Sequence, residues 1–145
     1  INFHLIILGE SFKKKPPIFD VAKEKLHNNI IHWGYAPSRM TYYKFLTESD
    51  VIVSTALHEF FGLSVLEAIA CGATPLLPYR LSYPELIPEK YHEKCFYHTD
   101  DQLIKMLTEI LTNGCHPLPV NLHDVPLKLQ WTHVIKKYDN AFLTM

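Results

Sequence analysis

The feature that most constrains this chain is a set of short runs that are apolar at nearly every position, not at every second one. Phe3–Leu8, Ile30–Trp33, Asp50–Ser54 (DVIVS) and Thr74–Leu77 are such runs, and Cys95–Tyr97 reads as a fifth. A strand with one wet face alternates polar and apolar residues. A strand covered on both faces has no reason to. Between the runs lie stretches with helical spacing. Ile18, Val21, Ala22, Lys25 and Leu26 form an imperfect stripe, with Pro17 suited to the helix start. Tyr42, Phe45 and Leu46 share a face behind a capping Ser38. Gly62–Ala70 predicts a helix with Leu63, Leu66, Ile69 and Ala70 inward, ended by Gly72. Asp100 or Asp101 caps a helix through Leu111 whose apolar face is Leu103, Leu107, Ile110 and Leu111. Residues 114–130 hold Pro117, Pro119 and Pro126 and read as a tail crossing the surface. Trp131–Leu143 reads as a last helix with Val134, Ile135, Tyr138 and Phe142 inward.

Strand and helix therefore alternate, and the pattern predicts an α/β domain: a Rossmann-like parallel sheet with helices on both faces. The Asp50–Ser54 and Thr74–Leu77 strands are expected to be parallel neighbours, joined by a right-handed crossover through the Gly62 helix. At 145 residues the chain is expected to form one domain, 1–145, with 114–145 as a C-terminal tail and helix.

Charge and cysteine usage narrow the function. Fourteen Lys and Arg are set against fifteen Asp and Glu, so no strong basic field points to nucleic acid. Lys13, Lys14 and Lys15 are the only basic run and read as a solvated loop. No stretch reaches the roughly 18 apolar residues of a membrane helix. Cys71, Cys95 and Cys115 are too few and too irregular for a disulfide framework, so a reducing, cytoplasmic setting is expected. The chain opens on Ile1 without a charged leader or an initiator Met, and a fragment is the expectation.

Ligands of open parallel sheets bind at the carboxyl ends of the strands. The segment with most chemistry there is Ser54–Gly72, STALHEFFGLSVLEAIACG. Seven residues separate Glu59 from Glu67. Glu85 and Glu93 share that spacing, so spacing alone means little. What distinguishes the first pair is its setting: a buried strand feeds a loop with Glu59, then Gly62, then a helix with Glu67. The amides that open the helix and its dipole suit an anion, and a glycine lets a phosphate approach the backbone. Two flanking carboxylates can accept hydrogen bonds from vicinal hydroxyls. Two ordinary surface glutamates on a helix-entry loop would carry the same spacing. His92, Cys95 and His98 have near-metal spacing without an obvious fourth ligand, and no metal site is expected. Cys71, at a helix end where the dipole disfavours a thiolate, reads as an inert packed thiol.

The run HEFFGLSVLEAIACG, followed by a strand and YPELI, resembles the donor-site signature of retaining glycosyltransferases with two Rossmann-like domains (GT-B, group 1). More narrowly, Leu8-Gly9-Glu10, Ile31-His32-Trp33-Gly34-Tyr35, Ser54-Thr55-Ala56 before His58-Glu59-Phe60-Phe61-Gly62, and Leu81-Ser82-Tyr83-Pro84-Glu85 resemble the tRNA-queuosine mannosyltransferases. The likeness is good over roughly residues 1–90. It implies a donor-binding half of a hexosyltransferase using a nucleotide sugar such as GDP-mannose, with no other cofactor and no metal, and with retention at the anomeric carbon. Glu59 would then hold sugar hydroxyls and Glu67 the ribose hydroxyls. The amides of Phe61, Gly62, Leu63 and Ser64 would meet the sugar and diphosphate. Trp33, Gly34 and Tyr35 would border the base. His58 stands beside Glu59 as a second catalytic candidate, donating to the sugar or holding the loop.

Departures from the pattern carry expectations of their own. The basic residues that neutralise the diphosphate in this family precede the position of Phe3. The family's first strand and its N-terminal acceptor domain do so as well. The Gly-Gly common before Pro-Glu is replaced by Ser82-Tyr83, which predicts a less permissive loop. The chain by itself is thus expected to be a partial donor site with an exposed sheet edge prone to self-association. A tRNA acceptor would be recognised mainly by the N-terminal domain. A non-catalytic nucleotide-binding module, or a glycosyltransferase acting on a glycan or lipid, is the other reading. A receiver-like domain fits poorly, with Glu10 its only candidate acid.

Overall fold

The computed structural model describes residues 1–9, 16–114 and 122–144. Glu10, Lys13–Lys15 and Cys115 fall outside them. The chain forms two compact units, Ile1–Phe45 and Leu46–Met145.

In the first unit, β1 (Leu5–Leu8) pairs in parallel with β2 (Ile30–Gly34), Leu8 opposite Gly34. The pair is tied at its start by Leu5 N–H to Asn29 O at 2.7 Å and by the Asn29 side-chain amide to Phe3 O at 2.8 Å. The crossover between them includes α1 (Ile18–Lys25), which opens after Pro17 as its composition predicts but buries none of its residues. Ile18 and Val21, two of the expected inward residues, are exposed. The helix α2 (Arg39–Thr47) follows, with Ser38 Oγ accepting from Thr41 N–H at 3.1 Å, as expected of an N-cap.

The second unit holds β3 (Val51–Val53), α3 (Leu63–Ala70), β4 (Thr74–Pro78), α4 (Tyr83–Leu86), a 3₁₀ turn at Glu89–Tyr91, α5 (His92–Cys95), β5 (Phe96–Tyr97), α6 (Asp100–Asn113), α7 (Asp124–Lys128) and α8 (Trp131–Leu143). Its sheet runs β3-β4-β5, all parallel, with β4 central. The expected pairing of the third and fourth strands holds: Val51 lies opposite Thr74 and Val53 opposite Leu76.

A central strand with two prolines needs an explanation, because proline cannot donate to the ladder. In a parallel strand successive N–H groups point to opposite neighbours. Thr74 N–H reaches Asp50 O on the β3 side, so position 75 faces the β5 side. There β5 pairs only from Leu77 onward, and Pro75 lies before that point. Pro78 faces β3 again, at the place where it would otherwise donate to Ser54 O. That carbonyl accepts from the Tyr97 hydroxyl at 2.8 Å instead.

The core forms around α3, β4 and α7: Val65, Leu66, Ile69, Leu77, Tyr83, Ile87, Phe96 and Leu122 are among its members. Four expectations need correction. The buried face of α3 is Val65, Leu66, Ala68 and Ile69, while Leu63 and Ala70 are exposed. Leu63 is the first helical residue, so its side chain leans back over the entry turn and away from the core. The described part of 114–130 does not merely cross the surface. Leu122 is fully buried and Asp124–Lys128 is a helix on α3, because the exposed apolar face of α3 needs cover. On α8 Tyr138 and Phe142 are exposed, the ring of Tyr138 lying against Trp131 instead. The N-cap of α6 is Thr99, whose side chain accepts from Gln102 N–H; Asp100 and Asp101 occupy the first turn, where the dipole favours acids. Leu103, Leu107, Ile110 and Leu111 are half-buried on its inner face. Among the described residues no helix is long and apolar enough to cross a membrane.

Leu122 tests the corrected reading. Leu122→Ala is expected to cost about 2–5 kcal/mol in urea unfolding, the range for truncating a fully buried leucine. Leu143→Ala, on an exposed position of α8, is expected to stay within about 0.5 kcal/mol. Equal midpoints for the two variants would contradict the placement of Leu122 in the core.

Candidate functional site

Strand β3 ends at Val53, and the loop 54–61 carries the chain to Gly62, the N-cap of α3. Gly62 has φ +85°, a left-handed conformation that side-chain-bearing residues rarely adopt. The space a Cβ would need is also taken. It would meet Tyr83 Cε1 at 3.0 Å and Leu86 Cδ1 at 3.2 Å. Two separate constraints thus require glycine at this one position.

The Glu59 carboxylate folds back over the turn. Its Oε1 accepts from the N–H groups of Phe60 at 2.9 Å, Phe61 at 3.1 Å and Gly62 at 2.9 Å. The first intrahelical bond runs from Leu66 N–H to Gly62 O, so the amides of Leu63, Ser64 and Val65 lie ahead of it and have no intrahelical acceptor. The bond from Gly62, then that from Phe61, holds the Glu59 carboxyl below the usual range against the opposing effect of burial, with the Phe60 bond adding least. All three bonds converge on one oxygen, and Oε2 takes no part in them.

Of the residues singled out by sequence, Glu59, Phe61, Gly62, Leu63, Ser64 and Glu67 sit together at the carboxyl end of β3 and the start of α3. Glu67 is half-buried in the second turn. Its charge adds to burial in raising the Cys71 thiol above the ordinary range, consistent with an inert cysteine; burial is the larger cause. His58 is exposed. Phe60 is 97% exposed and Leu57, Phe61 and Leu63 are exposed too, so the Glu59 loop carries an apolar rim.

Trp33, Gly34 and Tyr35 belong to the first unit, at the carboxyl end of β2. The Trp33 ring is half-buried, with Phe19 edge-on at 6.3 Å and Lys23 Nζ 5.9 Å from its centroid. Gly34 has φ +127° and open space where a Cβ would be. Tyr35 is largely exposed. His92, Cys95 and His98 are engaged separately. His92 Nε2 lies 2.7 Å from Ile87 O, the Cys95 thiol is buried with its pKa pushed up to about 11, and the His98 ring lies against Tyr79.

One part of the site was not singled out by its spacing. Ser54, at the end of β3, bonds through Oγ to the Tyr83 hydroxyl at 2.9 Å and accepts from Ala56 N–H at 3.3 Å. Tyr83 is fully buried at the start of α4, and burial raises its phenol above the usual range. The left-handed residue of the preceding loop is Leu81, at φ +63°; Ser82 and Tyr83 adopt right-handed geometry. The loop is therefore strained at Leu81 and not at the Ser82-Tyr83 pair that replaces Gly-Gly.

The Glu59 cap has a pH signature. Its folded-state pKa lies below the ordinary value of 4.5, so the cap stabilises the fold above that pH and is lost as the pH falls through the depressed value. Observed by NMR, Glu59 is expected to titrate below the ordinary glutamate value, and Glu59→Gln is expected to make the acid side of the stability profile shallower. Gly62→Ala is expected to cost at least about 1 kcal/mol from backbone strain alone and to return Glu59 towards its ordinary titration. An unperturbed Glu59 in the parent protein would contradict the cap.

Similarity to known sequences identifies the family. The family model described as glycosyl transferases group 1 matches residues 1–123. A tRNA-queuosine alpha-mannosyltransferase from Drosophila melanogaster is 38% identical over 107 residues, which cover 74% of this chain and 27% of that protein. The chain thus spans about a quarter of the length of that relative. With the parallel α/β fold and the Glu59–Gly62–Glu67 segment, these matches place the chain in the group 1 glycosyltransferase family.

Proposed function

We propose that this chain forms the nucleotide-sugar half of a retaining hexosyltransferase, that its donor is GDP-mannose, and that queuosine in tRNA is the acceptor. The observation that carries the donor reading is the way Glu59 binds. One oxygen caps three amides, which leaves Oε2 free to accept from hydroxyls of the donor sugar. The amides of Leu63 and Ser64 remain for the diphosphate, at the positive end of the α3 dipole. Phe61 and Gly62, whose amides are committed to Glu59, would shape the pocket more than bind anion. Glu67, on the second turn of α3, would take the ribose hydroxyls. Trp33, Gly34 and Tyr35 would border the base, and His58 would donate to the sugar or steady the loop. The donor and acceptor identities rest on the mannosyltransferase likeness, and the working environment would be cytoplasmic.

The roles of the two glutamates differ in kind. Ribose contacts persist through the reaction, whereas contacts to the sugar change as its anomeric bond breaks. In the full-length protein Glu67→Ala is expected to weaken donor binding and raise KM. Glu59→Ala is expected to act mainly on kcat. Each loss is about 1.5–3 kcal/mol for a charge-assisted hydrogen bond, or roughly ten- to 150-fold. The assay is mannosyl transfer from GDP-mannose to queuosine-containing tRNA, preceded by a thermal-shift panel of nucleoside diphosphate sugars. Absence of a shift with every nucleotide sugar would remove the donor reading. A shift without transfer to this tRNA would leave the donor and reject the acceptor. Identical kinetics for both variants would remove the division of roles.

A further inference from the structure

The Glu59 loop leaves the sheet at Ser54 and rejoins regular structure at Gly62, and the side chain of Tyr83, outside the loop, lies against both ends. The Tyr83 hydroxyl is 2.9 Å from Ser54 Oγ, and the Tyr83 ring fills the space beside the Gly62 Cα, where Cε1 would lie 3.0 Å from a Cβ. We propose that Tyr83 is a positioning residue for the donor site: its ring supports the Gly62 turn and its hydroxyl anchors the strand end, so that the Glu59 carboxylate and the first amides of α3 are held in one geometry. The inference rests on reading this segment as the nucleotide-sugar site.

Three observations support it. Tyr83 is 1% exposed, and its hydroxyl has Ser54 as partner, as a buried phenol requires. Ser54 is itself held from a second direction, because Pro78 leaves its carbonyl to the Tyr97 hydroxyl at 2.8 Å. Tyr83 is delivered by a strained connection, with Leu81 at φ +63° and Arg80 N–H turned back to Pro78 O at 2.7 Å. Strain of that kind persists only where the surroundings over-determine it, and it clusters at working sites. Burial keeps the phenol protonated, and the Glu59 charge adds to this from across the turn. Tyr83 does not reach the substrate. It acts through Gly62 and Glu59.

The test uses the full-length protein with Tyr83→Phe, Ser54→Ala and the double variant. Phenylalanine keeps the ring under Gly62 and removes only the hydroxyl, so the variant retains the packing of the core. Hydrogen exchange at the Phe61 and Gly62 amides is expected to quicken about three- to tenfold in Tyr83→Phe, the equivalent of one neutral hydrogen bond. Amides within α6 should be unchanged. In the transfer assay kcat is expected to fall by a similar factor with little change in KM for the nucleotide sugar. Ser54→Ala, which also removes the acceptor of the Ala56 N–H, should show both effects at least as strongly, and the double variant should be no worse than Ser54→Ala, since the Ser54–Tyr83 bond is already lost in it. Wild-type exchange at Phe61 and Gly62 in Tyr83→Phe would overturn the proposal, as would a lower Tm with unaltered loop exchange. If the parent protein binds no nucleotide sugar, the functional reading falls, while the exchange comparison still decides whether Tyr83 holds the turn.

Discussion

The Glu59 carboxylate, bound by three successive backbone N–H groups, is the contact on which the geometry of the candidate site depends. The loop's own anion satisfies the three amides that lead into α3, those of Phe60, Phe61 and Gly62, while the amides of Leu63, Ser64 and Val65 that open the helix take no part. This fixes the loop against the helix it leads into, gives the carboxylate a preferred orientation, and leaves its second oxygen outside the cap. The arrangement holds only because Gly62 adopts a left-handed conformation and carries no side chain. An alanine there would meet both a backbone penalty and the Tyr83 ring.

Two prolines in β4 show how the sheet and the site are linked. Pro75 lies where the ladder needs no donor, so it is tolerated in a central strand. Pro78 lies where the ladder would need one, and its missing N–H leaves the Ser54 carbonyl to Tyr97. The last ladder bond at the carboxyl edge is thus replaced by a side-chain bond from the neighbouring strand. Together with the Ser54–Tyr83 bond, this ties the root of the Glu59 loop to residues that are distant in sequence. Buried polar groups of this kind are favourable only when each is satisfied. Ser54, Tyr83 and Tyr97 satisfy one another.

The electrostatics of α3 follow from the same local order. Glu59 lies at the positive end of the helix, where backbone donors lower its pKa. Glu67 sits farther along, and its charge joins burial in keeping the Cys71 thiol protonated. Two carboxylates on one short segment therefore have different surroundings, which is the condition for giving them different tasks.

Much of the fold was legible in sequence. Strands apolar throughout needed cover on both faces, so the parallel pairing of β3 with β4 and the helix between them followed from local pattern, as did glycine at 62 and the grouping of Glu59 with Glu67. These are consequences of periodicity and backbone chemistry, which a short window contains. The window did not contain the buried face of α3, the return of Leu122 and α7 onto it, or the joining of Ser54, Tyr83 and Tyr97. Those are contacts between residues some 30 to 50 positions apart. Which side of a short apolar helix is buried depends on what covers it, and which hydroxyl satisfies a stranded carbonyl depends on which chain lies beside it. Only packing in three dimensions decides either.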